Sequence, residues 1–153
     1  MPNEEKPEIT DSEWEVMRVV WALEEVTSKE ISHVLQEKMD WKPATTKTFI
    51  GRLVKKGMLQ TEKSGNRFIY TAAVSEEDSL NTLKAGLFHH ICSRAVGKTI
   101  ADLIGDATLS HDDIAMIEEV LQNKKKDAVD QVVCNCVPGQ CTCKKDHGMN
   151  CRH

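Results

Sequence analysis

The chain has 153 residues, enough for one ordinary domain or two small ones. Its 40% hydrophobic and 29% charged residues place it among soluble globular proteins, not disordered or membrane chains. No apolar run approaches the roughly 18–20 residues that cross a bilayer, and the polar start Met1-Pro-Asn-Glu-Glu-Lys6 lacks a signal peptide. A cytoplasmic protein with no membrane partner is expected, in a compartment where thiols stay reduced. The net charge of −4 argues against nucleic acid until its distribution is considered. Residues 1–40 hold four Lys/Arg against eleven Asp/Glu. Residues 41–67 hold Lys42, Lys47, Arg52, Lys55, Lys56, Lys63 and Arg67 against Glu62 alone, an electrostatic footprint for phosphate.

In chain order, Thr10-x-x-Glu13 reads as a capping box that opens a helix with Trp14, Met17, Val20, Trp21 and Leu23 at helical spacing. Thr27-x-x-Glu30 opens a second, short helix with Ile31, Val34 and Leu35 on one face. Pro43 suits the first turn of a third helix that runs to about Lys56 and stops at Gly57. Phe49, Ile50, Leu53 and Val54 are expected inward; Thr45, Thr46, Lys47, Thr48, Arg52, Lys55 and Lys56 are expected on the opposite face. The period then becomes strand-like, and Met58–Lys63 and Arg67–Ala73 flank Ser64-Gly65-Asn66 as a hairpin. Three helices and a hairpin read as a winged helix-turn-helix whose third helix enters a major groove. The candidate DNA contacts are Lys42, Thr45, Thr46, Lys47, Thr48, Arg52 and Lys55, with Lys63 and Arg67 beside the hairpin tip.

Ser75, with Asp78 as capping partner, opens a helix with a seam of Leu80, Leu83, Leu87 and Ile91. A shorter helical segment is expected around Thr99–Ile104, and Ser110-x-x-Asp113 caps another helix carrying Ile114, Ile117, Val120 and Leu121. Lys124–Lys126 end it favourably for its dipole. These helices are too few to enclose a core, so a homodimer interface is the economical expectation. His89, His90 and Cys92 offer a second metal site as the alternative, but the adjacent histidines point to different sides of a helix and Cys92 is expected to be a small core residue.

Five of the six cysteines lie in the last twenty residues, four of them as Cys134-x-Cys136-x4-Cys141-x-Cys143. The Pro138-Gly139 step suits a reversing turn that converges the four sulfurs. Thiolates are soft ligands, and four of them select zinc, cuprous copper or an iron–sulfur cluster; a disulfide pair is the alternative. His147, Met149, Cys151 and His153 follow as further possible ligands or as a polar terminus. The expected fold class is mainly α with a small β-hairpin. It comprises a winged-helix domain over 1–74, a helical dimerisation domain over 75–126 and a Cys-rich metal-sensing tail over 127–153.

Trp14-Glu-Val-Met-Arg-Val-Val-Trp21, Trp41-Lys-Pro-Ala-Thr-Thr-Lys-Thr48, Gly51-Arg-Leu-Val-Lys-Lys56 and the cysteine motif together resemble the CopY copper-responsive repressors. These are relatives of the penicillinase repressors BlaI and MecI. The resemblance implies a homodimer that represses a copper-efflux operon at a palindromic operator. It also implies Zn(II) in the four-cysteine site on DNA, displaced by Cu(I) from a copper chaperone. By position it makes Thr45–Thr48 with Arg52 the reader and Cys134, Cys136, Cys141 and Cys143 the sensor. The β-lactam-responsive relatives are inactivated by cleavage of an Asn-Phe bond; this chain has no Asn-Phe dipeptide, so a ligand-operated switch is expected. The rival readings are a metallothionein-like metal store or carrier and a repressor sensing zinc or cadmium. An enzyme is not expected: the chain shows no Gly-rich phosphate loop and no nucleophile–base pairing, and zinc held by four thiolates keeps no open position.

Overall fold

The computed structural model describes residues 8–141. Compactness divides the chain into two units, Met1–Thr82 and Leu83–His153. The first contains α1 (Asp11–Leu23), α2 (Ser28–Met39), α3 (Pro43–Lys55), β1 (Leu59–Ser64) and β2 (Arg67–Ala72), and α4 (Glu76–Leu87) spans the division. The second continues with a 3-10 turn (Ser93–Ala95), α5 (Val96–Asp106) and α6 (His111–Lys124). No helix of the described residues is long and apolar enough to cross a membrane.

Local chemistry sets the helix starts. Thr10 and Glu13 form a reciprocal capping box on α1, and Ser110 and Asp113 do the same on α6. On α2 the Thr27 hydroxyl accepts from Glu30 N at 3.2 Å, while the Glu30 carboxylate accepts from that hydroxyl instead of reaching the backbone. Ser75 Oγ accepts from Asp78 N at 3.0 Å at the start of α4.

The core of the first unit joins Val16, Met17, Val19 and Val20 of α1 to Ile31 and Leu35 of α2, Ile50 and Leu53 of α3, and Val26, Met58 and Leu59 around the sheet. Val34 and Val54, expected inward, are exposed, because each lies at the edge of its helix's apolar stripe. Gly57, with φ of 78°, turns the chain out of α3 into the hairpin. The strands β1 and β2 pair antiparallel from Leu59↔Ala72 to Ser64↔Arg67, leaving Gly65-Asn66 as a two-residue loop. Val26 bridges to Tyr70 through Val26 N→Tyr70 O at 3.2 Å and Tyr70 N→Val26 O at 2.7 Å, which ties the α1–α2 connection to the wing. Trp21 Nε1 donates to Val74 O at 2.9 Å and anchors the exit of β2 on α1.

The later helices differ in extent from the sequence reading. α4 ends at Leu87, so Ile91 falls outside the leucine seam; Gly86 starts a turn, with His89 N bonded to Gly86 O at 3.2 Å. α5 is longer than expected, eleven residues from Val96. No residue of α4, α5 or α6 is buried.

Candidate nucleic-acid interface and thiol cluster

The face of α3 away from the core is polar and cationic. Its N-cap, Lys42, makes no side-chain cap, and Pro43 at the first position lacks the N–H that would have no helical partner there. Lys42, Thr45, Lys47, Thr48, Arg52 and Lys55 are exposed, as are Lys63 and Arg67 next to the wing tip. Thr48 Oγ1 donates to Ala44 O at 3.0 Å, which fixes its hydroxyl along the helix. The Arg52 guanidinium lies over the Phe49 ring at 5.4 Å, and Phe49 packs against Trp41 at 5.0 Å. That shelf orients an exposed cation and contributes about 0.5–1 kcal/mol. The positive end of the helix dipole reinforces the attraction for phosphate at the same end as Lys42 and Lys47.

Two residues of the expected face lie elsewhere. Thr46 is fully buried, because it falls one turn before Ile50 and two before Leu53 on the inner stripe of α3. It cannot meet a base edge, and its Oγ1 has no hydrogen-bond partner among the described residues. Lys56 turns inward instead of to solvent: its Nζ donates to Glu13 Oε1 at 2.6 Å and to Glu8 O at 2.8 Å. Burial works to raise the Glu13 pKa, but hydrogen bonds from Lys56 and Thr10 and the Lys56 charge outweigh it, holding the carboxyl below the usual glutamate range.

In the second unit, Val137–Gln140 forms the anticipated turn, with Gln140 N donating to Val137 O at 3.1 Å. Gly139 has φ of 94°, which a side chain at that position would resist, and Pro138 precedes it in the pattern of a type II turn. The turn returns Cys141 to Cys134, with the two Sγ atoms 3.5 Å apart. Cys136 N donates to Cys134 Sγ at 3.4 Å. Cys143 lies outside the described residues, as do His147, Met149, Cys151 and His153.

Cys92, expected as a small core residue, is only half-buried and joins this cluster, its Sγ 3.5 Å from that of Cys134. The Sγ atoms of Cys92, Cys134 and Cys136 all lie within 4.8 Å of one another. No spacing pattern could have found Cys92, since 42 residues separate it from Cys134. A zinc–sulfur tetrahedron with bonds of about 2.3 Å has edges of about 3.8 Å, so the observed separations suit one soft cation among these sulfurs. The hydrogen bond with Cys92, then partial burial and the neighbouring Cys134, push the Cys136 thiol up to about 12. A bound cation would favour the thiolate at Cys136.

The sequence pattern of the penicillinase repressor family matches residues 9–123. The chain belongs to that family. A Latilactobacillus sakei protein described as an uncharacterized 16.5 kDa protein in the ptsI 3' region is 48% identical over 139 residues, 91% of this chain and 95% of its own. The penicillinase repressor of Bacillus licheniformis is 28% identical over 124 residues, 79% of this chain and 97% of its own. The solved DNA-binding domain of the repressor BlaI is 38% identical, covering 48% of this chain and 90% of its own, with a TM-score of 0.45. As a penicillinase repressor family member, the protein is a DNA-binding transcriptional repressor, and not an enzyme.

Proposed function

We propose that this repressor is copper-responsive and governs a copper-homeostasis operon in the cytoplasm. As a homodimer it holds a palindromic operator while Zn(II) occupies the thiolates of Cys134, Cys136, Cys141 and Cys143. Cu(I) passed on by a copper chaperone takes those sulfurs and releases the DNA. The observation that carries the reading is the approach of the described tail sulfurs, with Cys134 and Cys141 at 3.5 Å across the Pro138-Gly139 turn. Softness matches the donor set to both metals.

In this reading residues 1–74 read DNA, residues 75–126 pair two chains and residues 127–153 sense metal. Lys42, Lys47, Arg52 and Lys55 on α3, with Lys63 and Arg67 on the wing, hold phosphates. Thr45 and Thr48 are small enough to let the helix enter the groove. Leu83, Leu103 and Val120, each at least half exposed in the single chain, supply apolar surface for the second copy. Four thiolates around one zinc or two cuprous ions carry the same net charge, so release follows from a change in how the sulfurs are arranged. Moving operator occupancy from nearly full to nearly empty needs about 5.5 kcal/mol of differential affinity.

The test is a DNA mobility shift with zinc-loaded protein and a palindromic operator, titrated with Cu(I) under reducing, anaerobic conditions. Release by copper, lost in Cys134→Ser/Cys136→Ser, is the expected result. Operator binding that copper leaves untouched would reject copper as the inducer. A stronger response to zinc or cadmium would favour a sensor of those ions.

A further inference from the structure

We propose that Cys92 is itself a ligand of the tail metal beside Cys134 and Cys136, in place of one thiolate of the set Cys134, Cys136, Cys141 and Cys143. This inference rests on the metal-sensing reading of the tail but adds a thiolate from outside the cysteine-rich motif. Cys92 sits in the connection between α4 and α5, and its approach to Cys134 is set by neighbouring contacts. Ser93 N donates to Asn135 Oδ1 at 2.9 Å, the Ser93 hydroxyl donates to Val133 O, and Arg94 Nε donates to Val132 O at 2.9 Å. These bonds lay residues 132–135 along residues 92–94 in a register that sets Cys134 opposite Cys92. On the other side, Ala95 N donates to Cys92 O at 2.8 Å and fixes the backbone that carries the thiol.

Apolar packing does little to hold residues 129–133. Val129, Val132 and Val133 are 68%, 48% and 79% exposed. A cation shared between Cys92 and the tail sulfurs supplies the missing constraint, with one proton leaving each thiol for solvent as its sulfur binds. The sulfurs of Cys92, Cys134 and Cys136, all within 4.8 Å of one another, then supply three corners of a tetrahedral shell and a further tail thiolate the fourth. The consequence is mechanical: a metal that rearranges these sulfurs pulls directly on the connection between α4 and α5. The state of the sensor thereby reaches the helical region through a ligand bond.

The full-length protein is alkylated under anaerobic conditions with and without zinc, and each cysteine is followed by mass spectrometry. Zinc is expected to slow modification of Cys92, Cys134 and Cys136 together, by more than about tenfold, the lower end of what loss of a merely supporting group costs in metal affinity. Cobalt then separates ligation from simple covering. Cys143→Ser should keep a four-thiolate cobalt spectrum, while Cys92→Ser/Cys143→Ser should lose about a quarter of the sulfur-to-cobalt absorption. Protection of Cys134 and Cys136 without Cys92, or equal absorption in the two variants, would overturn the inference and leave the tail sensor standing. Protection of no cysteine would remove the metal reading and this inference with it.

Discussion

Two neighbouring positions on α3, Thr46 and Lys47, separate packing from recognition. Thr46 is buried with a hydroxyl that has no partner among the described residues, whereas Lys47 is exposed. Replacing the hydroxyl by a methyl of similar shape removes a buried polar group, so Thr46→Val should stabilise the protein by about 1 kcal/mol. Operator affinity should stay unchanged. Lys47→Ala should leave stability within about 0.5 kcal/mol but weaken operator binding, reducing the slope of log affinity against log salt by about 0.9. Thermal unfolding and salt-dependent DNA titrations measure both. Loss of affinity in Thr46→Val at unchanged stability would return Thr46 to the reading surface.

At the scale of elements, Glu13 and Lys56 strap the N-terminus of α1 to the end of α3, the helix that carries the cations. The Glu13 side chain is 1% exposed and that of Lys56 26%. Lys56→Met should cost about 2–3 kcal/mol, below the 3–5 typical of a fully buried broken pair because Lys56 keeps some solvent. The pH dependence follows from the lowered Glu13 pKa. A carboxylate whose folded value is depressed contributes stability that is complete above the ordinary glutamate range and is lost as pH falls through the folded value. Without Lys56, burial instead favours the protonated acid. The stability gap between wild type and Lys56→Met should therefore narrow on acidification, as measured by denaturant unfolding across a pH series. A gap that stays constant would mean Glu13 is not the partner responsible.

For the whole molecule, the contrast lies between a first unit with a closed core and helices α4–α6 with no buried residue. Helices this apolar on one side hold their form by covering that side, and a second copy is the proposed cover. Leu103→Glu and Val120→Glu should shift sedimentation from dimer to monomer. They should weaken binding to a palindrome far more than binding to a half-site. Wild-type protein that sediments as a monomer at concentrations that fill the operator would reject this arrangement.

The features legible in the sequence share one property: they are settled within a few residues. Thr10 with Glu13, Ser110 with Asp113, the Gly65-Asn66 hairpin loop and the Pro138-Gly139 turn are short-range chemistry, so their spacing is sufficient information. The order of three helices and a wing follows from them, and so does the concentration of cations on α3. Helix phase was harder. Thr45, Thr46 and Lys47 are adjacent small or polar residues, and only the position of α3 against its neighbours decides that the middle one faces in. Long-range convergence was out of reach. Lys56 meets Glu13 across 43 residues and Cys92 meets Cys134 across 42, and no local period records such meetings. They are set by packing and by hydrogen bonds between distant segments, which exist only once the chain has folded.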